Sequence, residues 1–276
     1  MRSLEINPEI AVSRICKFIV TRVNDAKADG IILGLSGGID SSATLALCAR
    51  AIGPENTFGL IMPTQTTLKQ DIDDAINVAT LFGVKHTTED ISPLLNTFKQ
   101  FKMSNFESNI ANGNLAARLR MCLLYYQANL SNLLVAGTGN KSEILMGYFT
   151  KFGDGGCDIL PIGDLYKSQI RQMAEYLGIP PKIIQKAPSA GLWPGQTDED
   201  EFGVQYDDLD LILSGFERLM SPEEISNEIN IPLETIKRVE SILRRTEHKR
   251  IGPIVFKLGS RTPGFDWRVS LFSSET

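Results

Sequence analysis

Ser36-Gly37-Gly38-Ile39-Asp40-Ser41-Ser42 brings together the backbone freedom and hydroxyl groups needed to hold an anion. Two glycines let the chain turn with its N–H groups pointing inward. Ser36, Ser41 and Ser42 supply hydroxyl donors, and a helix starting just after the turn adds positive potential. Such a cradle suits a phosphate or pyrophosphate. The spacing is not that of a Walker A loop, whose lysine is missing, and it is not G-x-G-x-x-G. A carboxylate inside an anion site repels phosphate unless a cation intervenes, so Asp40 implies Mg2+. The competing reading of these residues is a tight turn in which Asp40 caps a helix.

The hydropathy on either side indicates what must position this loop. Ile31-Ile32-Leu33-Gly34-Leu35 is a nearly continuous apolar run, as in a parallel strand covered on both faces, and Ala43 to Ala51 reads as a helix. Before them, Asn7 and Pro8 cap and open an amphipathic helix that ends before Gly30. The alternation continues with strand Thr57 to Met62, helix Lys69 to Phe82 stopped by Gly83, and strand Val84 to Thr88. Helices within Ile91 to Phe101 and Asn114 to Leu130 follow, and Leu133 to Ala136 closes the series as a buried strand. Regular alternation predicts an α/β fold: a parallel sheet with right-handed crossovers and helices on both faces, binding ligands at the carboxyl ends of its strands. Beyond residue 150, the Gly-rich polar stretches KFGDGGCD (151–158) and GLWPGQTDEDEFG (191–203) read as working loops around a helix at Lys167 to Leu177. Tyr206 to Arg245 is again helical.

Composition narrows the function classes. The 276 residues are 42% hydrophobic and 22% charged, which excludes wholesale disorder. Lys and Arg number 28 against 33 Asp and Glu, a net charge of −5 that argues against binding nucleic acid by bulk attraction. No apolar run approaches the roughly 18 residues of a membrane helix and the N-terminus has no apolar signal core, so a cytoplasmic protein is expected. Cys16, Cys48, Cys122 and Cys157 are widely spaced, which fits reduced thiols better than a disulfide or zinc framework.

S-G-G-x-D-S after the first strand resembles the pyrophosphatase loop of enzymes that adenylate a substrate and release pyrophosphate. Within that superfamily, Gly137-Thr138-Gly139-Asn140-Lys141-Ser142-Glu143 and Gly147-Tyr148-Phe149-Thr150-Lys151-Phe152-Gly153-Asp154-Gly155-Gly156-Cys157-Asp158 closely resemble the NAD synthetases. Arg118-x-Arg120-Met121, Leu160-Pro161, Lys167, Pro188-Ser189-Ala190-x-Leu192 and Thr246-Glu247-His248-Lys249-Arg250 extend the likeness to almost the whole chain. The resemblance implies a doubly wound, Rossmann-like fold of the adenine nucleotide alpha-hydrolase type. It would span residues 1–276 as one synthetase domain, mostly helical from about residue 206, with no glutaminase domain. It implies a homodimer that makes NAD from deamido-NAD, ATP and ammonia through an adenylate.

Carried over by position, Ser36, Gly37, Gly38, Ile39, Asp40, Ser41, Ser42, Thr138, Lys167 and Ser189 would contact ATP, and Asp40 and Glu143 would bind Mg2+. Arg118, Tyr125, Lys151, Asp154, Asp158, His248 and Lys249 would contact deamido-NAD, with Tyr125 reaching across the dimer interface. Lys167 would stabilise charge on the phosphoryl oxygens, and Asp154 would hold ammonium or accept its proton. Taken singly, Glu143 also reads as a helix-surface carboxylate, Lys167 as a first-turn lysine and Tyr125 as a packed aromatic. Asp198 to Glu201 reads as a solvated acidic loop.

Two other functions use the same residues. A tRNA-modifying ligase or thiolase shares the loop chemistry, but the cysteine spacing and net charge do not favour it. Pro222 to Val239, followed by Arg244 and Arg245, has the outline of a helix-turn-helix, although Glu223, Glu224, Glu228 and Glu234 would face phosphate unfavourably.

Overall fold

Four short parallel strands carry the site at their carboxyl ends: β1 (Gly30–Gly34), β2 (Thr57–Ile61), β3 (Lys85–Thr88) and β4 (Leu133–Val135), in spatial order β3-β2-β1-β4. The computed structural model describes residues 4–101, 108–189, 191 and 197–262. From β1 the chain builds outward through β2 to the edge strand β3, then returns to place β4 on the other side of β1. Ile32 is thus registered with Phe58 on one side and Val135 on the other. The reversal makes the crevice between the ends of β1 and β4 the topological switch point, where open parallel sheets bind ligands.

The central strands β1 and β2 are largely buried because helices cover both faces of the sheet there, whereas the edge strand β3 is polar and exposed. Ile31, Leu33 and Leu35 pack with α1 (Pro8–Ala26), α2 (Ile39–Ile52), α3 (Lys69–Leu81) and α7 (Lys167–Leu177), through Ile19, Leu45, Val78 and Met173. Ile32, Leu60 and Met62 point the other way, against Leu95 of α4 (Ser92–Lys99) and Ala116 and Leu119 of α5 (Asn109–Ser131). A separate apolar cluster joins α6 (Lys141–Met146), α9 (Asp198–Phe202), α10 (Tyr206–Glu217), α11 (Pro222–Ile229) and α12 (Leu233–Arg250) around Met146, Tyr206, Leu209, Ile225 and Val239. The short α8 (Pro181–Ile184) follows α7 and buries Ile183.

Most expected elements are present, with instructive shifts. Asn7 caps α1 as read, its side chain accepting the Ile10 N–H. Helix α2 starts at Ile39, inside the serine-glycine motif, because Gly38 takes an extended conformation and serves as the cap. The long helix begins at Asn109, where the Ser108 side chain accepts the Ala111 N–H. The stretch 206–245 is three helices. Ser221 and Glu224 form a reciprocal capping box that starts α11, and Asn230, at φ 57°, ends it. α11 and α12 bury Ile225, Ile236 and Val239, and Lys237 pairs with Glu223 at 3.2 Å, so these two helices complete an apolar cluster and engage one of the basic side chains.

Candidate active site

Gly37 and Gly38 turn the chain sharply from β1 into α2. Gly37 lies at φ +76°, a region that disfavours side chains, and a Cβ there would collide with the Asp71 carbonyl oxygen. The Ser41 and Ser42 hydroxyls donate to the Gly38 carbonyl (3.1 and 2.8 Å), and the Ser36 and Ser41 hydroxyls lie 3.1 Å apart. No side chain caps the N-terminus of α2, and uncapped N–H groups at a helix start are suited to an anion. Lys186 braces the turn from outside, donating to the Gly37 carbonyl (3.3 Å) while paired with Asp71 (2.5 Å) and Asp74 (3.1 Å).

The second wall comes from the turn after β4. Asn140 caps α6: its side chain accepts the Glu143 N–H (2.9 Å), and Glu143 Oε2 accepts the Asn140 N–H (3.3 Å). The Asn140 amide also donates to Asp40 Oδ1 (3.1 Å), joining the two loops of the switch point. Between Asp40 and Glu143 stands the ammonium of Lys167, the first residue of α7. It lies 2.5 Å from Asp40 Oδ2 and 3.4 Å from Glu143 Oε1. Lys167 is 3% exposed and its pKa is raised, because the neighbouring carboxylates outweigh the desolvation that would lower it. Glu143 is held well above the usual carboxylate range, by burial first and then by repulsion from Asp40. Asp198, buried at the start of α9, adds negative charge to the cluster and accepts from the Tyr206 hydroxyl (3.0 Å). Among the described residues, no three His, Cys, Asp or Glu side chains are placed to hold a metal ion together.

A third group lies where α12 returns to the segment after α6. Lys249 donates to the carbonyls of Gly147 (2.6 Å) and Phe149 (2.8 Å), and Lys151 donates to the His248 carbonyl (2.5 Å). Arg118 donates to the Lys151 carbonyl (3.3 Å). Burial lowers the Lys249 pKa, opposed by the nearby charge of Asp154. One Asp154 oxygen accepts the Thr150 N–H (2.8 Å), which closes the 150–154 turn.

A family model described as NAD synthase matches residues 11–253. The chain belongs to the NAD synthase family. Within the family it is 50% identical over 247 residues to the NH(3)-dependent NAD(+) synthetase of Methanocaldococcus jannaschii, covering 89% of this chain and 95% of that one. Two solved structures superpose well. NMN synthetase from Francisella tularensis has a TM-score of 0.82 at 35% identity, covering 92% of this chain and all of that one (100%). NH3-dependent NAD synthetase from Campylobacter jejuni, in complex with the nitrate ion, has a TM-score of 0.78 at 32% identity, covering 91% and 100%. The adenine nucleotide alpha-hydrolase fold of these synthetases is the fold of this chain.

Set against the expectations for a family member, the structure brings together Ser36, Gly37, Gly38, Ile39, Asp40, Ser41 and Ser42 with Glu143 and Lys167. Separately it groups Arg118, Lys151, His248 and Lys249. Thr138 is half-buried in the turn between β4 and α6. Ser189 is exposed, its hydroxyl accepting the Gly191 N–H (3.1 Å), and Ala190 and Leu192 lie outside the described residues. Tyr125, expected to reach across a dimer interface, donates its hydroxyl to Asp158 of its own chain (3.0 Å), and the other Asp158 oxygen accepts the Val135 N–H (2.8 Å). The acidic run at 198–201 is not wholly solvated: Asp198 points inward because Thr197 caps α9 and α9 packs on Tyr206. Arg120 is half-buried on α5, its Nε donating to the Met62 carbonyl (3.0 Å). Asn140, Lys186, Asp198, Tyr206 and Asp210 were not singled out from sequence. Only Asn140 carried a signal, the Asn-x-x-Glu pattern of a helix start.

Proposed function

We propose that this chain amidates deamido-NAD with ammonia, converting ATP to AMP and pyrophosphate. The observation that carries the reading is the pair Asp40 and Glu143 flanking Lys167 beside the uncapped N-terminus of α2. In the first step a carboxylate oxygen of the nicotinate ring attacks the α-phosphorus of ATP. That P–O bond forms as the bond to the β-phosphate bridge breaks, and pyrophosphate leaves with the electron pair. In the second step ammonia attacks the acyl carbon, AMP leaves with the C–O electrons, and the nitrogen gives up a proton.

The N–H groups opening α2 and the Ser36, Ser41 and Ser42 hydroxyls hold the ATP phosphates, with Thr138 and Ser189 as further contacts. Lys167 stabilises charge on the phosphoryl oxygens. Mg2+ fits this donor set, because Asp40, Glu143 and Asp198 face one ammonium and leave an excess of negative charge. Asp40 and Glu143 would hold it, and two carboxylates are the usual protein share when phosphates and water complete the shell. When bound, it neutralises phosphate charge. Arg118, Tyr125, Lys151, Asp158, His248 and Lys249 receive deamido-NAD. Asp154 is an exposed residue with one oxygen accepting the Thr150 N–H, and desolvation by the surrounding protein raises its pKa, which suits holding ammonium or taking its proton. A homodimer is supported by α5, on which the large apolar side chains of Ile110, Tyr126 and Leu130 stay exposed. Light scattering that returns a monomer mass would overturn that part.

The deciding experiment supplies ATP, Mg2+, deamido-NAD or nicotinate mononucleotide, and ammonium or glutamine, and quantifies each nucleotide product with pyrophosphate. NAD formed with ammonium, in step with AMP and pyrophosphate, is the expected result. The mononucleotide arm is included because the superposition with the Francisella NMN synthetase is close. Faster turnover of the mononucleotide would change the acceptor, and AMP released only with RNA would move the chain to tRNA modification.

A further inference from the structure

Among the described buried charged groups that the proposed reaction does not use, Asp210 is the one connected to the site on two sides. It lies on α10, is fully buried, and has both oxygens engaged. Oδ1 accepts from the Ser142 hydroxyl (2.5 Å) and Oδ2 from the Ser168 N–H (2.8 Å), while the Ser142 hydroxyl accepts the Lys167 N–H (3.1 Å). Ser142 precedes Glu143, and Ser168 follows Lys167. One carboxylate therefore ties the backbone of Lys167 to the residue beside Glu143.

The other end of Lys167 meets the same helix. Its ammonium stands 5.1 Å from the centroid of the Tyr206 ring, one turn before Asp210, and the Tyr206 hydroxyl is held by Asp198 at 3.0 Å. An apolar residue would fill the volume of Asp210 without the desolvation penalty of a buried carboxylate, so packing alone does not require one.

We infer that Tyr206 and Asp210 are positioning residues: α10 holds Lys167 at its backbone and at its ammonium, and so sets the distance between Lys167 and the Asp40–Glu143 pair for adenylate formation. The inference rests on the reaction proposed above. Its test uses Asp210→Asn, Ser142→Ala and Tyr206→Phe in the full chain. We expect Asp210→Asn to slow deamido-NAD-dependent exchange of pyrophosphate into ATP by roughly 10- to 100-fold, with the deamido-NAD KM changed less than about twofold. Ser142→Ala, a smaller change, should slow exchange in the same sense, and Tyr206→Phe should do so less. In a Lys167→Ala background Asp210→Asn should add no further loss, because both substitutions remove one function. Equal losses in both backgrounds, or a lowered Tm with the exchange rate of the folded enzyme unchanged, would reduce Asp210 to a structural residue. A second readout is the rate at which an amine-directed reagent labels Lys167, followed by mass spectrometry. Asp210→Asn should raise it several-fold even in an enzyme that makes no NAD, so failure of the proposed reaction and failure of the positioning role are separable. Unchanged labelling would overturn the inference.

Discussion

The Nζ of Lys167 lies 2.5 Å from Oδ2 of Asp40, although 127 positions separate the two residues. Glu143 Oε1 approaches the same ammonium to 3.4 Å, so a lysine fills the space between two carboxylates. It is their counter-ion. In the proposed reaction the same charge would be aimed at phosphate oxygens from a buried position, where screening by water is weak.

Replacing Lys167 by alanine should therefore slow adenylate formation by on the order of 10²- to 10³-fold. The deamido-NAD KM should stay within about threefold, because the groups proposed to receive the acceptor lie around Lys249 and Lys151. Rapid-quench measurement of the adenylate separates the two effects. A raised KM with an intact adenylation rate would assign Lys167 to the acceptor.

Asp40→Asn and Glu143→Gln should each depress turnover strongly at limiting Mg2+ and lessen the response to added Mg2+. Without added nucleotide, Asp40→Asn should melt lower than the parent because it takes from the buried Lys167 its 2.5 Å partner, whereas Glu143→Gln, which relieves repulsion with Asp40, should not. Turnover titrated against Mg2+, with thermal melts of the apo variants, tests both statements. Unaffected turnover at limiting Mg2+ would sink the metal assignment.

At Gly37 the positive φ and the nearby Asp71 carbonyl leave no room for a methyl group. Gly37→Ala should destabilise the chain by about 1–3 kcal/mol and weaken ATP binding with little change in affinity for deamido-NAD. Calorimetric titration with each nucleotide checks this. Equal weakening of both would point to general misfolding.

Asp74 supplies a pH dependence. Burial alone would raise its pKa, but Lys182 (2.7 Å), Lys186 (3.1 Å) and Gln70 (2.9 Å) outweigh that and hold it below the usual carboxylate value. A depressed carboxyl pKa contributes stability that is present above the unfolded-state value and is lost as pH falls through the folded-state value. The parent should be more stable than Asp74→Asn by about 1–3 kcal/mol near neutrality, with the difference shrinking below about pH 4. Urea unfolding of both proteins over that range gives the answer. A gap that widens in acid would contradict the assigned sign.

The sheet, its helices and the anion loop were legible because their signals are local. A buried strand is apolar whatever covers it, and two glycines beside serines announce a turn with free N–H groups. Boundaries slipped where a cap decided them: Gly38 starts α2 inside the motif, and Ser108 starts α5 early. Asp198 was hidden because an acidic run has the same composition whether or not one member turns inward. Tyr206 and Asp210 were hidden because helical periodicity names a buried face without saying what lies against it.

By itself, the sequence determined the strand-helix alternation, the anion loop with its single carboxylate, and the motif run from Gly137 to Asp158 that marks the family. Each depends on neighbours in the chain: apolar period, φ preference and short-range spacing. Only the tertiary structure decided that Lys167 would be the shared counter-ion of Asp40 and Glu143, that Asp158 would take the hydroxyl of Tyr125 in its own chain, and that α10 would grip Lys167 from below. Those contacts span distant segments brought together by the return of β4 beside β1 and by the docking of α10 on α6 and α7. Buried charge is tolerated only where that packing supplies a partner.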